Sequence, residues 1–325
     1  MIVDVNIDGN NLLAANQNSQ LKQIFKDVFA AQVERATRIS LVAEKIANEM
    51  VIYKVPRFSE KHKNHYNDRS GGDSTPITTL IIHYTVINFY RTLEVFTSNI
   101  DVGAVSSTYV ITQQEQQFQI PSGKIIQIVP EEKRAWHAGI SKWQNMSNLN
   151  ENSIGIELVN EGVNKQNQFV PFDNQQIIAL AQLCRIIIQK FKISPVCILG
   201  HSDIAPNRKI DPGIFFPWGK LYNIYGIGAW LKDEEQTIDG IKKYDPEEPL
   251  PEKVSISFLS RHLKKYGYDI QETNVITKQF SDVLKAFKAH FSCNQNPEKY
   301  NDTPDMNDMI WIWGLTAKYR DYLQN

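Results

Sequence analysis

Cysteine is scarce in this sequence, and no apolar run is long enough to cross a membrane. The 325 residues include three cysteines, Cys184, Cys197 and Cys293, at long separations and without a CxxC pair. This odd number and spacing argue against a disulfide framework and against a compact cysteine metal site. No stretch approaches the roughly 20 consecutive apolar residues of a transmembrane helix. We therefore expect no transmembrane segment, and we expect Cys184 and Cys197, which lie in apolar stretches, to be buried thiols.

An excess of charge of one sign is also missing. The formal net charge at pH 7 is −1, so the chain lacks the basic footprint of a nucleic-acid-binding protein. Hydrophobic residues make up 42% and charged residues 22%, which is enough apolar material for a globular core. We expect no nucleic-acid partner, and the sequence leaves the oligomeric state open.

Composition divides the chain into four predicted parts. In residues 1–56, an N-terminal extension, apolar residues recur at helical spacing from Leu21 onward, which predicts an amphipathic helix. Residues 57–230 combine apolar strands with one long helix, which is typical of an α/β domain. Residues 231–254 are charged and contain three prolines, and they predict a linker. Residues 255–325 predict a small all-α module.

The predicted elements follow from apolar periodicity. Helix-spaced apolar residues predict one long helix in the α/β part and three helices in the C-terminal module. Short apolar runs predict the strands. The predicted strands cover 78–85, 106–111, 124–129, 153–160 and 195–200, and the predicted helices cover 174–191, 255–266, 275–291 and 306–323.

Four polar residues stand at strand ends or in tight loops. His83 and His201 each follow an apolar run, and Asp211 lies in the turn-like sequence NRKIDPG. Taken singly, each has a plain structural alternative: a satisfied core histidine, or an aspartate that caps a turn. Glu157 is flanked by apolar residues, and an ionised carboxylate in a buried strand is costly without a partner.

Together, these residues have the composition of a catalytic zinc site. Two histidines and a carboxylate leave the fourth tetrahedral position for water, and zinc lowers the pKa of that water to about 7. A second carboxylate, Glu157, would then move the proton. On an alternating strand Gly155 shares its face and leaves open space beside it. Lys209, two residues before Asp211, would stabilise an oxyanion, or it is simply an exposed loop lysine.

Several segments in order carry a family likeness. They are LIIHYT (80–85), AWHAGISKW (135–143), NSIGIELVN (152–160), GHSDIAPNRKIDPG (200–213), FPW (216–218) and GIGAW (226–230), followed by KKYGYDI (264–270) and KAFKAHF (285–291). With them the chain resembles the type-2 zinc N-acetylmuramoyl-L-alanine amidases, which share a fold with peptidoglycan recognition proteins. The likeness is greatest to AmiD-type envelope amidases.

The resemblance implies a fold, an activity and a set of roles. The implied fold is a central mixed β-sheet flanked by helices, with a peptidoglycan-binding-like helical module after it. The implied activity is zinc-dependent hydrolysis of the amide bond between the muramoyl lactyl group and L-alanine of peptidoglycan or (anhydro)muropeptides. His83, His201 and Asp211 would bind Zn²⁺, Glu157 would be the catalytic acid and base, and Lys209 would stabilise the transition state.

The resemblance also implies a substrate-binding wall. It places Trp136 and His137 at the cleft, where Trp136 would cover the sugar or stem peptide and His137 would hydrogen-bond substrate. The alternative is a packed aromatic residue beside a structural histidine. Asn160 would donate a further hydrogen bond to substrate. The remaining histidines match no metal set, and we expect surface or packing positions for them: His62, His65, His262 and His290.

Two questions of role stay open at this level. Proteins of this fold can bind peptidoglycan without cutting it, so a non-catalytic recognition protein is the alternative function. The first residues, MIVDVNIDGNN, resemble neither a secretory signal nor a lipid-attachment site, which favours cytoplasmic recycling of soluble fragments. The substrate and the C-terminal module favour the cell envelope or periplasm instead.

Overall fold

The structure, a computed structural model, describes residues 2–4, 52–54, 65–97, 104–115 and 120–323. The helix predicted for the N-terminal extension and His62 lie outside these ranges. Within them, every helix is too short or too polar to span a lipid bilayer.

A mixed β-sheet forms the centre of the fold, as predicted for the α/β class. Its strands are β1 (Ile2–Asp4), β2 (Ile52–Lys54), β4 (Thr79–Tyr84), β5 (Tyr109–Ile111), β6 (Ile125–Gln127), β10 (Ser153–Leu158) and β11 (Ile198–Gly200). Their order across the sheet is β1-β2-β6-β5-β10-β4-β11. Only β5 and β6 pair antiparallel within it. Two separate antiparallel pairs join β3 (Tyr66–Asp68) to β7 (Lys133–Ala135) and β8 (Lys142–Trp143) to β9 (Met146–Ser147).

Helices cover both faces of this sheet. The helix predicted over 174–191 is observed with those bounds as α2 (Asn174–Phe191), and the Asp173 side chain caps its first turn. Its apolar side shares one buried core with apolar residues of the central strands β4 and β10. On the other face, α1 (Phe89–Thr97) packs against Val110 and Ile126. Parallel strands covered on both faces are expected to be apolar throughout.

The strand predicted over 195–200 is shorter than expected. A 3₁₀ turn occupies Pro195–Cys197, and only Ile198–Gly200 pair in the sheet. Proline explains the difference, because it has no N–H for a ladder and suits the first turn of a helix. The strand ends directly at α3 (His201–Ile204). The predicted buried thiols are confirmed, since Cys184 and Cys197 are buried and free.

The C-terminal part is helical, as predicted. Residues 255–325 contain α6 (Ile256–Tyr266), α7 (Lys278–His290) and α8 (Met306–Lys318). They are preceded by α4 (Trp218–Tyr225) in the predicted α/β part and α5 (Ile238–Lys242) in the predicted linker. Side-chain caps at Ser255, Thr277 and Asp305 begin the last three helices. The segment predicted as a linker contains α5, whose Ile241 is fully buried and lies close to Gly314 of α8. The domain boundaries themselves stay a prediction.

Candidate active site

The sheet brings Glu157 and His83 together. The two residues are register partners in the adjacent parallel strands β10 and β4, so their side chains leave the same face of the sheet. Gly200 pairs with Ile82 on the other side of β4, and the next residue, His201, therefore arrives at the level of His83. Parallel strands end at a common edge, which is where α/β sheets commonly hold their ligands.

A turn returns Asp211 to the same place. The N–H of Ser202 donates to the Asp211 carbonyl oxygen at 2.9 Å, which fastens the end of the 201–211 loop to its beginning. The Asp211–Pro212 peptide bond is cis. The carboxylate of Asp211 lies beside both histidines, although the three candidate ligands come from separate segments of the chain.

Three predicted ligand atoms form a small triangle. His83 Nδ1 lies 3.0 Å from His201 Nδ1 and 3.0 Å from Asp211 Oδ2, and His201 Nδ1 lies 3.1 Å from Asp211 Oδ2. Bonds of 2.0–2.1 Å to a tetrahedral ion would place such atoms about 3.3 Å apart. All three residues are buried, and together they form a group able to hold a metal ion. The donor set and its spacing therefore suit a small divalent cation.

Protonation in this cluster favours metal binding. Burial lowers the pKa of His83 to about 4, and repulsion by His201 adds to the shift. Burial alone would raise the pKa of the Asp211 carboxyl, but the imidazole rings of His201 and His83 beside it hold this pKa well below its usual range. A neutral imidazole and an ionised carboxylate are the forms that coordinate metals.

Glu157 has an unusual carboxyl group. The side chain is half-buried, and among the described residues its buried Oε2 atom has no hydrogen-bond partner. Burial, and to a smaller extent the charge of Asp211, raises the pKa of Glu157 to about 8, while Lys209 opposes the shift. A carboxyl group whose pKa lies close to neutral pH can both accept and return a proton.

Lys209 lies close enough to act on this cluster electrostatically. Its charge lowers the pKa of both Glu157 and His83. The residue is half-buried, and its ammonium group forms no ion pair with any residue that the structure describes. Its backbone N–H donates to the Ala205 carbonyl oxygen at 3.1 Å. Lys209 is therefore a cation beside the cluster, and no carboxylate in the described part of the chain pairs with it.

His137 lies behind His83. Its Nδ1 is 3.0 Å from His83 Nε2, and its Nε2 is 3.2 Å from Ser153 Oγ. A Cβ atom at Gly155 would lie 2.5 Å from His137 Cγ. We expected Gly155 to leave open space beside Glu157. That expectation was wrong, because the imidazole ring of His137 fills the space.

Trp136 is fixed by its neighbours. The half-buried indole donates from Nε1 to Asn67 Oδ1 at 2.6 Å, and its ring lies nearly parallel to His65, with 6.3 Å between the ring centroids. The backbone N–H of Trp136 donates to Ser106 Oγ at 2.9 Å. The contact of Trp136 with substrate stays a prediction.

Asn160 is engaged with its own loop. The side chain is 1% exposed, and its amide nitrogen donates to the carbonyl oxygens of Val170 and Pro171 at 3.3 Å and 3.2 Å. Its Oδ1 accepts from the N–H of Gly162 at 2.7 Å. The amide group closes the 160–171 loop, and the predicted hydrogen bond to substrate stays a prediction.

Comparison with known proteins decides the family. Residues 73–214 match the sequence model described as N-acetylmuramoyl-L-alanine amidase. Over 246 residues the chain is 37% identical to N-acetylmuramoyl-L-alanine amidase AmiD of Escherichia coli (strain K12), which covers 75% of this chain and 83% of AmiD. The chain belongs to the N-acetylmuramoyl-L-alanine amidase family. This confirms the family and activity that the sequence predicted.

Two solved structures are similar in fold to this amidase over 75% of its chain. A complex of E. coli AmiD with anhydro-N-acetylmuramic acid-L-Ala-D-γ-Glu-L-Lys has a TM-score of 0.62 and 36% identity, covering 75% of this chain and 90% of that one. AmpDh3 from Pseudomonas aeruginosa has a TM-score of 0.63 and 34% identity, covering 75% and 92%. The predicted amidase fold is therefore confirmed.

Two residues of the amidase that sequence reasoning missed hold the segment beside the ligands. The Arg208 guanidinium donates to the carbonyl oxygens of Ala138 and Ile140. Asn150 Oδ1 accepts from the backbone N–H groups of His137 and Ala138 at 3.0 Å and 2.7 Å. Arg208 lies in the 200–213 segment, directly before Lys209. This position next to a candidate site residue is the sequence signal that could have identified Arg208.

A buried carboxylate two residues after His201 was also missed. Asp203 accepts hydrogen bonds from the Gly200 N–H, from the Tyr268 hydroxyl and from His290 Nδ1, each at 2.7 Å. Tyr268 and His290 belong to the C-terminal helical part of the amidase. The helical part therefore holds the turn that carries a candidate metal ligand, and His290 is a buried packing residue, as expected.

Proposed function

We propose that this amidase is a zinc enzyme that hydrolyses the amide bond between the muramoyl lactyl group and L-alanine in muropeptides, including those with an anhydro sugar. The observation that carries the proposal is the triangle of His83, His201 and Asp211 with Glu157 in register beside it. Two relatives support the substrate class. AmiD is solved with an anhydromuramoyl tripeptide, and AmpDh3 with an anhydromuramic pentapeptide.

The donor set favours zinc among divalent ions. Two imidazole nitrogens and one carboxylate oxygen, with a fourth position left open, are a common set for catalytic zinc. We assign His83, His201 and Asp211 as the ligands. When bound, the ion supplies Lewis acidity that polarises the substrate carbonyl and makes water acidic near neutral pH.

We assign proton transfer to Glu157. Its Oε2 has no partner among the described residues, so it is free to take a proton from the attacking water. A C–O bond forms at the lactyl carbonyl carbon and the C–N bond to L-alanine breaks. Glu157 then gives the proton to the leaving nitrogen. The products are a muramoyl carboxylic acid and a stem peptide with a free amine.

Lys209 is assigned to charge stabilisation. The carbonyl oxygen becomes negative when water attacks, and a fixed cation near that position lowers the barrier. The influence of Lys209 on the pKa of Glu157 and of His83 supports this assignment, because it indicates that the charge acts on the groups of the cluster. No described carboxylate pairs with its ammonium group and weakens this effect.

The test is product analysis by mass spectrometry. Purified anhydromuropeptides, ordinary muropeptides and sacculi are incubated with the protein as prepared, after chelation, and after chelation followed by zinc. We expect free stem peptides and muramoyl sugars from at least the anhydromuropeptides, loss of both with chelator, and recovery with zinc. Zinc-loaded protein that binds these fragments without cleaving any of them would contradict the proposal and favour a recognition protein.

A further inference from the structure

A chain of polar side chains runs from His83 into the protein interior. His83 Nε2 faces His137 Nδ1, His137 Nε2 faces Ser153 Oγ, and the Ser153 hydroxyl donates to the Leu149 carbonyl oxygen. His83 and Ser153 are 1% and 0% exposed, and His137 is 9% exposed. Water therefore has little access to these hydrogen bonds, and their direction is set by the protein itself.

The carbonyl group at the inner end fixes that direction. A carbonyl oxygen can only accept a hydrogen bond, so the single hydroxyl proton of Ser153 is donated to the Leu149 carbonyl oxygen. Ser153 Oγ must then accept from His137, which places the His137 proton on Nε2 and leaves a lone pair on Nδ1. This lone pair accepts the Nε2 proton of His83. His83 Nδ1, the atom that faces His201 and Asp211, is left with its lone pair free for a metal ion.

We propose that His137 is a positioning residue that fixes the tautomer and the ring orientation of His83. Ser153 sets the direction of this chain of hydrogen bonds from His83 through His137 to Ser153, which we call the relay. The proposal rests on the zinc site of the proposed function. Hydrogen bonds of this kind behind ligand histidines are worth about 10–100-fold in metal affinity. Both His137 ring nitrogens are used in the relay, so neither is free to bind substrate.

The residues around His137 hold its ring and its backbone in this position. Gly155 admits the imidazole ring, since a Cβ atom there would lie 2.5 Å from His137 Cγ. Asn150 Oδ1 accepts a hydrogen bond from the backbone N–H of His137 and so holds the backbone in place. The next residue supplies the partner of the second histidine, because the Ala138 carbonyl oxygen lies 3.2 Å from His201 Nε2. Residues 137 and 138 thus orient both ligand histidines from one segment.

The experiment measures zinc affinity in the full chain by competition with a chromophoric chelator. The variants are His137→Phe, His137→Gln and Ser153→Ala. Ser107→Ala is the matched control, because the Ser107 hydroxyl is buried and has no partner among the described residues. Thermal unfolding of each metal-free variant reports the fold. Nitrogen-15 NMR of the zinc-loaded wild type reports which ring nitrogen of His137 carries the proton.

We expect His137→Phe to raise the zinc Kd by about 10–100-fold. Ser153→Ala should raise it less, and Ser107→Ala should leave it unchanged. His137→Gln should recover part of the affinity, because its amide can accept from His83 and donate to Ser153. In the wild type, the His137 proton should reside on Nε2.

Two results would overturn the relay. One is a folded His137→Phe variant that binds zinc as tightly as the wild type, and the other is a His137 proton found on Nδ1. If His137→Phe does not fold, Ser153→Ala and the NMR measurement still decide. Wild-type protein without zinc affinity would refute the proposed function together with the relay, whereas tight binding unaffected by the variants would refute the relay alone.

Discussion

Glu157 is the register partner of His83, one strand away at the centre of the sheet. A carboxyl group whose Oε2 has no partner among the described residues and a histidine of the candidate metal triangle therefore leave the sheet side by side. Backbone pairing fixes this neighbourhood, since a shift of the register by one residue would turn one of the two side chains to the opposite face. The distance between the proposed ligand and the proposed proton carrier is thus set by strand pairing at the centre of the sheet.

Replacing Glu157 by glutamine should separate proton transfer from metal binding. Glu157→Gln keeps the shape of the side chain but cannot take a proton, so we expect kcat to fall by about 10²–10⁴-fold. Zinc content, measured by elemental analysis, should not change, because Glu157 is outside the triangle. Glu161→Gln, the same change at an exposed residue nearby, is the control. A Glu157→Gln enzyme with near-normal kcat would remove Glu157 from the mechanism.

The raised pKa of Glu157 predicts a pH effect on the stability of the metal-free protein. Burial, together with Asp211, raises this pKa from 4.5 to about 8. Below a pH of about 4.5, the Glu157 carboxyl is protonated in both the folded and the unfolded protein. As pH rises through this window, the unfolded chain ionises while the folded chain does not, so the folded state loses stability. Glutamine cannot ionise, so Glu157→Gln should be spared this loss.

The measurement is thermal unfolding of the chelated wild type and Glu157→Gln across this pH window. The Tm of the variant relative to that of the wild type should increase with pH and become constant above a pH of about 8. A difference that does not depend on pH would show that the Glu157 carboxyl titrates normally in the folded protein.

The candidate ligands were predictable because of where their residue types occur. His83 and His201 end apolar runs, and the carboxyl edges of parallel strands bring such positions together. The proline-led turn at Pro195–Cys197 shortened β11, but it did not move the strand end at His201. Strand ends are local features of the sequence, so the site could be located before the fold was known.

The residues that support the site were not predictable in the same way. Asp203 meets His290, 87 residues away, and Tyr268, 65 residues away, and no periodicity connects them. The sequence predicted open space beside Gly155, because the His137 ring that fills this space comes from another segment of the chain. Hydrogen-bond partners across a core depend on packing directions that one sequence does not encode locally.

Removing the charge of Lys209 should slow the reaction without loosening zinc. A cation that stabilises only the developing oxyanion acts in the transition state, so we expect Lys209→Met to lower kcat by about 10²–10³-fold. The comparison is with Lys165→Met, which removes an exposed lysine. Steady-state kinetics on a purified muropeptide would measure both. If KM increases while kcat is retained, Lys209 binds the substrate in its ground state instead.

The contact between the C-terminal helices and the His201 turn should contribute to stability. Asp203 is 1% exposed, and Tyr268 supplies one of its three hydrogen bonds. Tyr268→Phe leaves the carboxylate short of a partner, which costs about 1–3 kcal/mol for a buried group. Chemical denaturation would measure the free energy of unfolding.

Tyr66→Phe is the matched control for this change. The Tyr66 hydroxyl is buried and has no partner within the described part of the chain, so its removal should not lower stability. Zinc-loaded Tyr268→Phe should keep most of its activity, because the Tyr268 hydroxyl donates to Asp203, which is neither a candidate ligand nor the proposed proton carrier. Equal stability of the two variants would mean that the Tyr268 hydroxyl does not help to hold the turn, and that His290 and apolar packing are sufficient to join the helical part to the sheet.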